Sequence, residues 1–107
     1  MKTIYVLSDS TGETAERVIR AALSQFYDED VRVHRLFQVR SHADIQQAMS
    51  VAVHDPGMVV YTIVAPLLAE AVERVAEESG LITVDLLSPR IYNLSRYLGA
   101  TSLEKPG

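Results

Sequence analysis

Apolar and polar positions along the chain follow two alternating periods. Short runs rich in β-branched and apolar residues, typical of strands, occupy residues 3–7, 31–37, 58–64 and 81–86. After each run, apolar residues recur every three or four positions, as they do on one face of a helix. This order of elements predicts an α/β domain with a parallel sheet, because parallel strands need crossover connections that are usually helical.

The apolar content of the runs predicts their order in the sheet. The third run, MVVYTIV, is almost wholly apolar, which is typical of a strand covered on both faces. The second, VRVHRLF, is interleaved with Arg32, His34 and Arg35, which favours a sheet edge. We therefore predict a four-stranded parallel sheet of order 2-1-3-4 with helices on both faces, in a three-layer, Rossmann-like or flavodoxin-like arrangement.

Start and stop signals predict the limits and the buried faces of four helices. The limits are a capping box of Ser10 and Glu13, a cap at Ser41 with Asp44 three residues later, Pro66 with Gly80, and Ser88-Pro89 with Gly99. The predicted inward-facing residues are Ala15, Val18, Ile19, Ala22 and Phe26, then Ile45, Ala48, Met49, Ala52 and Val53, then Leu67, Leu68, Ala71, Val72 and Val75, and finally Ile91, Leu94 and Leu98.

Composition narrows the class of protein. The 107 residues, 48% of them hydrophobic, predict one α/β domain over residues 1–99 and a linker-like tail over residues 100–107. The absence of cysteine excludes disulfides and thiolate sites, and the three histidines have no metal-ligand spacing, so we expect no metal. A net charge of −4 disfavours nucleic acid as a partner. Neither a signal peptide nor a membrane span is indicated, so we expect a cytoplasmic protein.

Parallel strands place the loops at their carboxyl ends along one rim, where helix N-termini favour anions. Hydroxyl, guanidinium and backbone N–H groups in these loops predict a phosphate-binding rim. Its candidate residues are Ser8, Asp9, Ser10, Thr11, Gly12, Glu13, Thr14, Arg40, Ser41, Thr62, Ser88 and Arg90.

Several of these residues also have a purely structural interpretation. Ser10, Ser41 and Ser88 are good helix caps. Asp9, the one candidate for a catalytic residue, could be a general base, a magnesium ligand or a turn residue, and the last is favoured by residue type. Gly12 fits either a close approach of the backbone to a ligand or a compact first turn.

Three common phosphate-handling motifs are excluded by spacing. A Walker A loop needs a lysine before the helix, and the only lysines are Lys2 and Lys105. A dinucleotide fingerprint needs three spaced glycines, whereas this loop has one. A receiver domain needs an aspartate at the end of the third strand, where this chain has Thr62-Ile63-Val64.

The segments IYVLSDSTGETAERVIRAALSQF, VVYTIVAP and ITVDLLSP together resemble the N-terminal part of a regulatory-protein family. These are the regulatory proteins of pyruvate, phosphate dikinase and phosphoenolpyruvate synthase, which are bifunctional serine/threonine kinases and phosphorylases. The resemblance runs from Thr3 to the end of the chain. It implies a parent enzyme that uses ADP to phosphorylate a threonine of the target and uses inorganic phosphate to remove it, releasing pyrophosphate.

The same resemblance implies that this chain is one part of such an enzyme. Family members are more than twice as long, and their lysine-containing nucleotide loop follows the part matched here. We therefore expect an N-terminal domain that binds phosphate or docks the target, holds no cofactor itself and is inactive alone. The parent would use ADP or ATP and phosphate. Its partner would be the dikinase or the synthase, and a homodimer is a further alternative. Leu67 and Leu68, where the family usually has an acidic residue and an arginine, are candidates for surface covered by the missing part.

Two alternatives remain open at this point. DSTGET is similar to the phosphate loop of flavodoxins, which would make the chain an FMN-binding domain. The loops near Thr62 and Ser88, however, offer no aromatic side chain to stack a flavin. The other alternative is a pure protein-interaction or oligomerisation module.

Overall fold

A computed structural model describes residues 1–26 and 29–106, so Gly107, the last residue of the predicted tail, lies outside the described part. Four strands alternate with four α-helices, and a single 3₁₀ turn, Ser24–Phe26, follows the first helix. The elements are β1 (Lys2–Ser8), α1 (Glu13–Leu23), β2 (Val31–Leu36), α2 (His42–His54), β3 (Met58–Thr62), α3 (Pro66–Ser79), β4 (Thr83–Asp85) and α4 (Ser88–Leu98).

The four strands form one parallel sheet of order β2-β1-β3-β4, which confirms the predicted order. Tyr5 of β1 lies opposite His34 of β2 on one side and Val59 of β3 on the other. β1 and β3 are the central strands and their residues are nearly all buried, whereas the polar residues of β2 lie at an edge. The chain passes from β1 to one side of the sheet at β2 and then returns to the other side at β3. The topological switch point therefore lies between β1 and β3, beside the loop that follows β1.

One face of the sheet carries most of the core. There α2 and α3 pack on each other and on the odd-numbered side chains of β1 and β3. Alanines on both helices allow this close approach. The buried cluster comprises Tyr5, Leu7, Val39, Ile45, Ala48, Met49, Ala52, Val59, Tyr61, Ile63, Ala71, Val72 and Ala76.

The opposite face has a much smaller core beneath α1. Ile19 packs there with Ile4 and Val60, flanked by partly buried residues such as Leu23 and Met58. Within α1, only Ala15 and Ile19 are buried, so the prediction that Val18 and Ala22 face inward is wrong. Phe26, predicted on the same stripe, lies in the 3₁₀ turn with 62% of its surface exposed, because the change of helix type rotates it away from the sheet.

The limits of α3 and α4 follow their prolines and glycines. Gly80 and Gly99 adopt φ values of 71° and 64°, the left-handed conformation that ends helices. The buried faces were predicted less well, because Leu67, Val53, Leu94 and Leu98 are all exposed. α4 contains no buried residue at all.

Three of the strands, β2, β3 and β4, are shorter than the apolar runs that predict them, whereas β1 is one residue longer at each end. The run that predicts β3 extends past the strand because the buried loop residue Ile63 is as apolar as the strand residues. Gly57, just before β3, permits a very close approach, since a Cβ there would lie 2.3 Å from the carbonyl oxygen of Thr3.

Candidate functional site

The loop between β1 and α1, which we call the β1 loop (residues 8–14), is the centre of the predicted rim, and its geometry differs from the predicted capping box. α1 begins at Glu13, its N-cap is Gly12, and no side chain caps it. The prediction of a capping box formed by Ser10 and Glu13 is therefore wrong. Gly12 has a φ of 81°, and this left-handed conformation places Ser10 outside the helix. The backbone N–H of Glu13 instead lies 3.4 Å from Thr11 Oγ1, and the Ser10 N–H donates to Ser8 Oγ.

The carboxylate of Asp9 ties this loop to the end of β3. Asp9 Oδ2 accepts a hydrogen bond of 2.9 Å from the backbone N–H of Val64, and the Asp9 N–H donates to the carbonyl of Thr62. Only 5% of Asp9 is exposed. One of its two carboxylate oxygens thus has a structural partner, which lies at the end of β3 and outside the turn of Asp9 itself.

The loop between β2 and α2 also holds the β1 loop in place, through hydrogen bonds to its backbone carbonyls. The N–H groups of Gln38 and Val39 donate to the carbonyls of Ser10 and Ser8, each at 2.9 Å. Arg40 Nε donates to the carbonyl of Asp9 at 2.7 Å. Gln38 has a φ of 54°, an uncommon conformation for a residue with a side chain, and this turn aims its N–H at the β1 loop.

Arg35, at the end of β2, adds a third contact. Its Nη1 donates to the carbonyl of Thr11 at 3.2 Å, and its Nε lies 2.9 Å from Glu16 Oε1. A Cβ at Gly12 would lie 3.2 Å from Arg35 Cδ, so the arginine packs directly on the glycine. Hydrogen bonding from Arg20, helped by the charges of Arg20 and Arg35, lowers the pKa of Glu16.

Ser41 acts as the predicted cap of α2. Its Oγ accepts from the backbone N–H of Asp44 at 3.1 Å, and Asp44 Oδ2 accepts in return from the backbone N–H of Arg40 at 3.0 Å. Hydrogen bonding to the Asp44 carboxylate from the backbone of Arg40, and then from the side chain and backbone of Ser41, lowers the pKa of Asp44. Arg40 is therefore held at two points. Its side chain donates to the Asp9 carbonyl and its backbone N–H donates to Asp44, which together keep the guanidinium group beside the β1 loop.

Ser88 and Arg90 lie at a different part of the rim. β4 is two strands from β1, about 10 Å at the usual strand spacing. Asp85 Oδ1 accepts from the N–H groups of Leu87 and Ser88. Ser88 is the first residue inside α4, so the interpretation of Ser88 as its cap is wrong, and Asp85 takes that role. The hydrogen bonds therefore join the first, second and third strand ends, and they leave Ser88 and Arg90 in a neighbouring group.

Beside that group lies a contact that the sequence did not indicate. Tyr61 Oη donates to Glu73 Oε2 at 2.5 Å, and Thr83 Oγ1 donates to Glu73 Oε1 at 2.9 Å. Burial first, and then the hydrogen bond to Glu73, raise the pKa of Tyr61 far above its usual range. Tyr61 and Glu73 border a cavity of about 580 Å³ that also touches Ser88. Glu73 is itself exposed, so its position on the helix does not indicate the contact, which only its partners in the fold reveal.

The residues that position the β1 loop were also missed by sequence reasoning. Arg35, Gln38 and Val64 act through hydrogen bonds to its backbone or to Asp9, and two of those three bonds use backbone N–H groups whatever the side chain. The one available signal was Arg35, a charged residue near the end of a strand.

Within residues 1–26 and 29–106, no three His, Asp or Glu side chains are placed to hold a metal ion. Across the same ranges, no helix has the length and apolar character needed to cross a membrane.

Comparisons with known proteins identify relatives over the whole chain. A family model described as kinase/pyrophosphorylase matches residues 4–107. A protein of Pelobacter propionicus with the provisional name pyruvate, phosphate dikinase regulatory protein is 62% identical over all of this chain and 38% of its own length. Proteins of the same name from Geobacter sulfurreducens and Bacillus subtilis are 48% and 37% identical, and each is covered over 40% of its length. The chain thus spans about two fifths of these relatives.

Proposed function

The chain belongs to the kinase/pyrophosphorylase family, and from that premise we propose that it forms the N-terminal domain of a bifunctional regulator of pyruvate, phosphate dikinase or phosphoenolpyruvate synthase. The full-length protein would transfer a phosphoryl group from ADP to a threonine hydroxyl of the target, leaving AMP. In the reverse direction, inorganic phosphate would accept the phosphoryl group of the phosphothreonine and leave as pyrophosphate. The names of the relatives support the dikinase as a target.

The nucleotide site would lie outside this chain, in a C-terminal domain joined through the tail at residues 100–107. Lysine, the usual partner of terminal phosphates, occurs only at positions 2 and 105. Lys2 begins β1 at the amino end of the sheet, and Lys105 follows the last helix. The isolated domain would therefore be inactive and hold no nucleotide.

This domain would contribute the β1 loop, residues 8–14, as a phosphate-binding or target-docking surface. One observation carries the proposal: the loop's backbone is held from the ends of β2 and β3, Arg40 lies beside it, and Gly12, the N-cap of α1, has no side chain to offer the helix N-terminus. The first N–H groups of a helix have no partner within it, and they favour anionic oxygens. The exposed hydroxyls of Thr11 and Thr14 are further donors at the same end.

A titration followed by amide NMR shifts tests the surface. We expect phosphate or pyrophosphate to shift the amides of Thr11, Glu13 and Thr14, and Arg40→Ala to weaken the response by about tenfold, the loss of one charge-assisted hydrogen bond. Arg96→Ala, a change at an exposed arginine of α4, is the matched control. ADP and FMN are titrated alongside, since FMN binding would favour the flavodoxin-like alternative.

An equal response in Arg40→Ala and in the parent chain would exclude Arg40 from the phosphate site. No response of any amide to phosphate or pyrophosphate would move the phosphate chemistry out of this domain. The β1 loop would then be a target-docking or purely structural element. A phosphorylation assay with dikinase and ADP separates the two halves, because the full-length Pelobacter propionicus relative should label the target while this chain should not.

A further inference from the structure

The last helix, α4, exposes a continuous apolar stripe to solvent. Leu94, Tyr97 and Leu98 are 57%, 88% and 65% exposed, and their spacing of three and four residues places them on adjacent parts of one face. The helix rests on the domain through Ile91 and Ser95, which are half-buried. We call Leu94, Tyr97 and Leu98 the α4 stripe.

Both ends of α4 are fixed by hydrogen bonds, although the α4 stripe has no partner in the described residues. Asp85 caps the first turn, and Gly99 ends the last one with its N–H donating to the carbonyl of Ser95. An isolated helix of 11 residues is marginal in water, so its stability has to come from packing. The caps fix a helix whose apolar face is left without the burial that would normally stabilise it.

From this we infer that the α4 stripe is an internal docking surface for the remaining three fifths of the full-length family protein. The relatives match this chain over all of its length but only 38–40% of theirs, so a large connected partner exists in each of them. The inference goes beyond the proposed function, and it holds or fails independently of phosphate binding.

The size of the stripe favours a connected partner over a second copy. A stable interface between separate proteins usually buries about 1,200–2,000 Å², far more than three side chains supply. A partner on the same chain has an effective concentration in the millimolar range, so a small apolar contact is enough. The stripe, moreover, ends one residue before the chain leaves α4 at Gly99.

A chimaera tests the inference in a full-length protein: this chain replaces the matched segment of the Pelobacter propionicus relative, to which it is 62% identical. We expect hydrogen exchange of the α4 amides to be slower in the chimaera than in the chain alone, by more than about tenfold. The double variant Leu94→Gln/Leu98→Gln should abolish that difference and lower the unfolding temperature of the chimaera by roughly 5–10 °C. In the chain alone it should change little, because glutamine retains a good helix propensity.

Leu67→Gln tests the competing surface, since Leu67, 68% exposed at the start of α3, is the other leucine that the sequence offered for contact with the missing part. The inference predicts that this change behaves alike in the chimaera and in the chain alone. Three results would overturn it: equal α4 exchange in both proteins, destabilisation of the chimaera by Leu67→Gln in place of the α4 variant, or a dimer of the chain alone that the α4 variant dissociates. The last result would assign the stripe to a second copy.

Discussion

α3 and α4 start and stop on the same signals but differ in what they bury. Each has a proline in its first turn and ends at a glycine in the left-handed conformation. α3 buries Ala71, Val72 and Ala76 against α2 and the sheet, whereas α4 has no fully buried residue. Capping therefore determines where a helix begins and ends, while its contribution to stability depends on the elements that lie against it.

Removing apolar groups from the two helices should give the largest contrast. Val72→Ala deletes two methyl groups at a fully buried position, and we expect it to lower the free energy of unfolding by roughly 2–3 kcal/mol. Leu94→Ala removes more atoms from an exposed position and should cost less than about 0.5 kcal/mol in the chain alone. Urea unfolding followed by circular dichroism measures both, and equal losses would mean that α4 packs as tightly as α3.

Alkaline pH should weaken the attachment of α3 to the sheet. The pKa of Tyr61 is raised in the folded state by burial and by its hydrogen bond to Glu73, so its contribution is complete below the unfolded pKa of about 10 and is lost above it. Stability should fall there by about 1.4 kcal/mol per pH unit for this one proton. Burial also raises the pKa of Tyr5, which adds in the same direction.

Tyr61→Phe isolates the contribution of Tyr61 to that slope. The variant should be less stable at neutral pH, because Glu73 loses a donor, and its decline above pH 10 should be shallower. Unfolding measured from pH 8 to 11 gives both quantities. Unchanged slopes in the two proteins would show that the Tyr61–Glu73 contact does not couple α3 to protonation.

The smallest contrast concerns the terminal glycines. Gly80 and Gly99 both have positive φ and open space where a Cβ would stand, so alanine costs about 1 kcal/mol locally at either position. Gly80→Ala should reduce global stability by that amount. Gly99→Ala should instead speed hydrogen exchange within α4 only, because a helix without buried residues can open separately. Equal global losses would contradict the separate opening of α4.

The same contrast explains how much could be predicted from the sequence. The strand order followed from MVVYTIV and VRVHRLF because burial on both faces and exposure at an edge leave different compositions. The helix ends at Ser41, Pro66, Gly80 and Gly99 followed from local backbone preferences. Leu94 and Leu98 were predicted to face inward and do not, because periodicity indicates an apolar face without showing whether anything covers it.

At the candidate site, local reasoning located the loop but not its supports. Asp9 and Arg40 were recognised as rim residues, yet their bonds to Val64 and to the Asp9 carbonyl join residues tens of positions apart. The capping box failed because a glycine at position 12 can adopt a conformation that the pattern Ser-x-x-Glu does not take into account. Such contacts depend on the register of neighbouring strands, which a single sequence does not specify.

The central place of β1 also affects how the chain is made. β1 leaves the ribosome first, but its second neighbour, β3, begins at residue 58. At roughly 5–20 residues per second, the intervening fifty or so residues take on the order of 3–10 s to synthesise. Throughout that interval one edge of an apolar strand has no partner, so the nascent segment TIYVLS is open to aggregation and is a natural segment for a chaperone to cover.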